Sequence, residues 1–72
     1  MASSTVENYL KHVLLLSAGG DGLVSMGALA GALAVVPGTA TTMVKALADG
    51  GLVEHRPRHG VRLTAAGRRL AL

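Results

Sequence analysis

The run PGTATTMVKALADGG from Pro37 to Gly51, continued by LVEHRPRHGVRLT as far as Thr64, decides how this chain folds. Proline opens the segment at the one helical position where a missing amide proton costs nothing. Ala40, Met43, Val44 and Leu47 then recur at i, i+3, i+4 and i+7, the spacing of one buried helix face. Thr39, Thr41, Thr42 and Lys45 fall on the other face, and Gly50-Gly51 stops the helix. Beyond the glycines the period changes. Leu52-Val53 and Val61-Arg62-Leu63 read as two short strands, with Arg56-Pro57-Arg58-His59-Gly60 as the tip between them.

Working outward toward the N-terminus, Ser25 is a good cap for a helix over residues 26–33. Leu29 and Leu33 are expected to face inward there, and the small Ala28, Gly31 and Ala32 to permit close helix–helix approach. Ala34-Val35-Val36 is a tight turn into the next helix, and Leu23-Val24 a short extended piece before Ser25. Earlier still, Ser4-Thr5-Val6-Glu7 has the form of a capping box, in which Ser4 would cap and Glu7 reach back. Val6, Leu10, Val13 and Leu16 form a helical stripe widened by Tyr9 and Leu14, and the glycines between Ser17 and Gly22 end that helix. Toward the C-terminus, Thr64 can cap a last helix over 65–72 with Leu70 and Leu72 as its apolar residues.

The order is helix, short strand, helix, tight turn, helix, hairpin, helix. It predicts a mainly α fold with a small β-hairpin (α+β): a winged helix-turn-helix with a three-helix core plus wing. No repeat or linker interrupts residues 1–72, which read as one domain.

Composition agrees with that size. A chain of 72 residues buries only about 60% of its unfolded surface, so its core is marginal. Tyr9 is the one aromatic residue, so Leu, Val and Ala must build that core. Without cysteine, neither disulfides nor a thiolate metal cage can staple the fold. No apolar run approaches the roughly 20 residues of a membrane span, and no signal peptide is legible, so a cytoplasmic setting away from membranes is expected.

Charge is unevenly placed. Residues 1–40 hold Lys11 against Glu7 and Asp21, a net of −1. Residues 41–72 hold Lys45, Arg56, Arg58, Arg62, Arg68 and Arg69 against Asp49 and Glu54, a net of +4. A basic half on a near-neutral body is the expected footprint of a polyanion-binding face, double-stranded DNA for this fold, with a solvated basic surface as the alternative.

The residues that would carry this binding follow from groove geometry. An α-helix fits the major groove, where every base pair presents a distinct pattern of donors, acceptors and methyls. The hydroxyls and methyls of Thr39, Thr41 and Thr42 suit base edges, and Lys45 lies one turn on, where it can meet the backbone. Val36 stands at the N-cap of this helix and has no side-chain oxygen for the early amides, which are left to water or a phosphate. Arg56, Arg58 and Arg62, on or beside the hairpin tip, can straddle phosphates or enter the minor groove. With the helix terminus, these groups suggest four to five phosphate contacts. Arg68 and Arg69 lie farther along and read as solvated, or as contacts to another domain.

The strings Thr5 to Leu10, Pro37 to Thr41, Leu47 to Val53 and Gly60 to Ala71 resemble the N-terminal domain of metal-dependent repressors of the diphtheria toxin repressor type. The resemblance covers nearly the whole chain in order and spacing. It implies a DNA-binding transcriptional regulator, with a repressor as the expected role. It also implies that Gly38, Thr39, Thr41 and Thr42 occupy the DNA-contacting positions of the recognition helix. Relatives use Fe²⁺ or Mn²⁺, bound largely by a following dimerisation domain that these 72 residues lack. The ligand that the family draws from the first helix falls on Asn8, where Met or Asp is usual, and Val36 replaces a polar cap. No metal site is therefore expected in this chain, and at most a weak homodimer.

Other functions fit less well. Paired carboxylates, a Ser/His/Asp set and a glycine-rich phosphate loop are all missing, so no catalytic residues are assigned and an enzyme is not expected. The rival is a winged helix that binds protein. Leu14-Leu15-Leu16 favours it, since three successive leucines cannot all face one core, while the basic wing and polar recognition helix argue for DNA.

Overall fold

The computed structural model describes residues 4–17 and 22–72. Helix α1 spans Ser4–Leu16, α2 Met26–Leu33, α3 Pro37–Asp49 and α4 Ala65–Ala71, with strands β1 Val53–Arg56 and β2 Gly60–Leu63 between α3 and α4. The strands pair antiparallel in the register Val53↔Leu63, Glu54↔Arg62, His55↔Val61 and Arg56↔Gly60. Val24 adds a third rung: its amide donates to the Val61 carbonyl at 2.7 Å, and the Val61 amide returns to Val24 at 2.9 Å. The extended piece before α2 is thus the outer edge of the wing sheet. Gly60 makes this possible. Its φ of +132° suits glycine, and a Cβ there would run into the Val24 carbonyl.

Local chemistry fixes the helix-turn-helix. Ser25 caps α2 by accepting from the Ala28 amide at 3.1 Å. At the other end Ala34 turns left-handed, with φ 57° and ψ 42°. The Val35 amide then reaches the Ala30 carbonyl and the Ala34 amide reaches Gly31, the two bonds of a Schellman ending. Val36 and Pro37 launch α3 at 107° to α2, within the range usual for a helix-turn-helix. No single helix among the described residues is long and apolar enough to cross a membrane.

The core lies where the three helices and the hairpin meet. Leu10 and Val13 of α1, Leu29 of α2, Val44 of α3 and Val61 of β2 are its fully buried centre. Tyr9, Ala30, Ala40, Leu47, Val53 and Ala71 close it.

Several expectations need correction. Ser4 is already helical in α1 and is therefore not its cap. Much of the glycine run that ends α1, residues 18–21, lies outside the described residues. Leu16 is exposed and not part of the core, as is Leu15, so two of the three successive leucines face outward. Ala28, Gly31 and Ala32 are also exposed; it is Ala30 that α2 buries beside Leu29. In α4 the buried residues are Gly67 and Ala71, while Leu70 and Leu72 are exposed. The strands extend farther than their apolar residues suggest, because β1 continues through Glu54, His55 and Arg56.

Candidate nucleic-acid interface

Helix α3 offers its outward face in two parts. Successive residues turn by about 100°, so with Ala40, Val44 and Leu47 inward, Gly38, Thr42 and Lys45 point outward. Thr39 and Thr41 then lie on opposite flanks. All but Thr41 are exposed, and Thr41 is half-buried. The three threonines therefore do not share one face, as their spacing alone suggests. The Thr42 hydroxyl donates to the Gly38 carbonyl at 3.0 Å, one turn back. Its proton is committed, so Thr42 offers a ligand only lone pairs and its methyl. Gly38, Thr39, Thr42, Met43 and Ala46 together line a shallow groove of about 390 Å³. Met43 and Ala46 belong to this surface and were missed, because Met43 fits the inward stripe and alanine carries no chemical signal.

The start of α3 has the predicted form. Val36 is extended, exposed and makes no side-chain cap, and Pro37 follows it. The next amides, of Gly38 and Thr39, open onto an exposed surface.

The wing separates its arginines. The His59 amide donates to the Arg56 carbonyl at 3.0 Å, closing a turn with Pro57 second and Arg58 third. Arg58 has φ +70°, the conformation a type II turn requires at its third position and usually gives to glycine. An arginine placed there costs about 1 kcal/mol of backbone strain. It is exposed and shares a recess with Ser25, Met26, His59 and Gly60 at the start of α2.

Arg56 and Arg62 are placed differently. Arg62 lies opposite Glu54 across the strands, and Arg56 is two residues along on the same face. Arg62 Nε donates to Glu54 Oε1 at 2.7 Å, and Arg56 Nε donates to Oε2 at 3.0 Å. Arg62 first, and then Arg56, hold the Glu54 carboxyl below its ordinary value. Glu54 was missed because the pairing depends on a strand register that short apolar signals do not reveal. Arg68 and Arg69, expected to lie apart, line a common recess with Arg62 and Leu72. Among the described residues, Lys45 makes no ion pair.

The family's metal finds little here. Asn8 is exposed on α1, and its main-chain carbonyl is bonded at 2.7 Å to Nδ1 of His12. Among the described residues, no three His, Cys, Asp or Glu side chains come together as ligands. An amide and one imidazole are a poor donor set for Fe²⁺ or Mn²⁺, so the described residues do not fit the ion.

Two helices joined by a tight turn, the second outward-facing and followed by a basic hairpin, define the winged helix-turn-helix class. Within that class the chain belongs to the family described as iron dependent repressor, N-terminal DNA binding domain, whose model matches residues 1–61. That family comprises DNA-binding regulatory domains and not enzymes. No curated protein matches the chain. Among solved structures it is similar to a hypothetical protein from Sulfolobus solfataricus, with a TM-score of 0.84 and 26% identity over 97% of this chain. The chain spans only 53% of that protein's length.

Proposed function

We propose that these residues form the reading head of a transcriptional repressor that acts in the cytoplasm and binds double-stranded DNA sequence-specifically. The observation that carries the reading is the outward line Gly38, Thr42 and Lys45 on a helix with an uncapped N-terminus, set 107° from its supporting helix. In this reading α3 enters the major groove. Thr39, Thr41 and Thr42 meet base edges, Thr42 through its methyl and lone pairs, while Lys45 and the wing arginines meet phosphates. Membership of a DNA-binding family supports it. A protein-docking winged helix has less support: exposed Leu15, Leu16 and Leu72 leave room for a partner, but the family is one that binds DNA.

Salt dependence is the direct test. Lys45 and Arg58 should each count as one phosphate contact and Arg56 and Arg62 together as one beside Glu54, while the α3 terminus, which carries no whole charge, is left out of the count. The slope of log affinity against log salt should be near −3, from about −0.9 per phosphate, so binding weakens about 60-fold between 50 and 200 mM. A slope near zero, or no binding to any duplex at 50 mM, rejects the reading.

Arg58 gives a second test in which stability and binding move in opposite directions. Arg58→Gly relieves the left-handed strain and should stabilise the domain by about 1 kcal/mol, raising the midpoint by about 4–8 °C. It should also weaken cognate and scrambled duplexes equally, because a phosphate contact holds no sequence information. A variant that is more stable and binds unchanged would remove Arg58 from the interface.

Within this proposal the chain needs no metal of its own. Adding Fe²⁺ or Mn²⁺ should leave duplex affinity unchanged, and a severalfold gain reversed by chelator would reveal a site that Asn8 and His12 do not supply.

A further inference from the structure

Arg56 and Arg62 share one face of the wing with Glu54, whose carboxylate is bonded to both, and Arg68 and Arg69 of α4 line a recess with Arg62. If the hairpin served only to attract phosphate, this acid would be out of place. Stability does not explain it either. Glu54 is 40% exposed and its partners 36% and 52%, so these are surface pairs, which solvent and salt screen to little net stability. Geometry offers another role. Both arginines use their Nε edge on the carboxylate, Arg56 adding an Nη2 contact at 3.0 Å, which leaves Nη protons of each guanidinium directed elsewhere.

We propose that Glu54 is an electrostatic brake on the wing: it fixes Arg56 and Arg62 by their inner edges and removes one charge from the surface that meets DNA. The inference rests on the DNA-binding reading above. Each guanidinium can still reach a phosphate, but the pair neutralises about one and not two. Affinity for DNA of any sequence is thereby lowered, and contacts from α3 make up a larger share of what remains. The brake keeps the domain exchangeable, because a wing with all its charge free would hold non-cognate DNA as well.

Glu54→Gln removes the charge at nearly constant shape on the surface, and a far-ultraviolet circular dichroism spectrum matching the parent checks that the fold is kept. Glu54→Asp keeps the charge and is the control. Affinity for one scrambled duplex is measured from 50 to 200 mM salt for all three proteins. The parent and Glu54→Asp should give slopes near −3, and Glu54→Gln a slope near −4, at about −0.9 per added phosphate. The Gln variant should bind severalfold more tightly at 50 mM, with its advantage shrinking about 3.5-fold by 200 mM. Parallel lines for parent and Gln variant, or weaker binding by the Gln variant, overturn the brake while leaving the DNA reading intact. Failure of the parent to bind any duplex at 50 mM overturns both.

Discussion

Gly67→Ala should destabilise this domain by about 3 kcal/mol and lower its thermal midpoint by about 12–24 °C, a large part of the roughly 4–11 kcal/mol expected for a chain this size. Gly67 has no need of glycine's backbone freedom; it needs the missing side chain. A Cβ there would overlap the Leu52 carbonyl. That carbonyl cannot withdraw freely, because it accepts the Thr64 amide at 3.1 Å. Thr64 is tied in twice more, its hydroxyl donating to the Gly51 carbonyl at 2.6 Å and accepting from the Gly67 amide at 3.1 Å. The corner after α3 and the start of α4 are therefore one hydrogen-bonded unit. A methyl at Gly67 must either break it or lift α4 from α1, where Ala71 is buried. Gly31→Ala is the control. Nothing lies within 4 Å of a Cβ at that position, so the same methyl should stabilise α2 by about 1 kcal/mol through helix propensity. Melting curves that fall within two degrees of each other would mean that α4 is not docked at Gly67.

That contrast marks how far the sequence could be read. The start of α2 and both ends of α3 were legible because local residues set each: Ser25 by its hydroxyl, Pro37 by its missing amide proton, Gly50-Gly51 by their freedom to leave a helix. Gly67 carries no such mark, since what it must avoid is a carbonyl fifteen positions earlier. The same holds for the wing. Its existence followed from Val53, Val61 and the turn residues, but the pairing of Glu54 with Arg62 appears only once the register is known. Leu16 and Leu70 show the opposite failure. Hydrophobicity suggested burial, but in so small a domain α1 and α4 have more apolar residues than the core has room to cover.

For the candidate interface, the sequence supplied residue types but not the direction in which they point. Residue type pointed to Thr39, Thr41, Thr42, Lys45 and the arginines. The helix turn then divides the threonines between two flanks, and the Thr42–Gly38 bond makes that side chain a methyl and an acceptor. Met43 and Ala46 join a surface that composition would have assigned to the interior. If α3 reads base edges, apolar contact contributes more to that reading than the hydroxyls alone suggested.

Two copies of the domain joined by a flexible linker should bind a duplex with two half-sites about 10²–10⁴-fold more tightly than one copy does. The argument starts from size. A domain measuring 25 × 23 × 20 Å can lay one helix and one wing on DNA, and single modules of this kind bury only about 600–1,000 Å². With about three net phosphate contacts, the single domain should bind modestly, and regulation at physiological salt then calls for two. Half-sites read from one side of the duplex lie about 34–36 Å apart. A Gly/Ser linker spans that distance at about 40 residues, taking roughly 5–6 Å times the square root of its length. The test uses a site selected with the single domain, placed twice as an inverted repeat. Moving one half-site by five base pairs carries it to the opposite face of the duplex and should abolish most of the gain. Equal affinity at both spacings would mean that the linker merely concentrates charge, and that α3 does not engage each half-site in a fixed orientation.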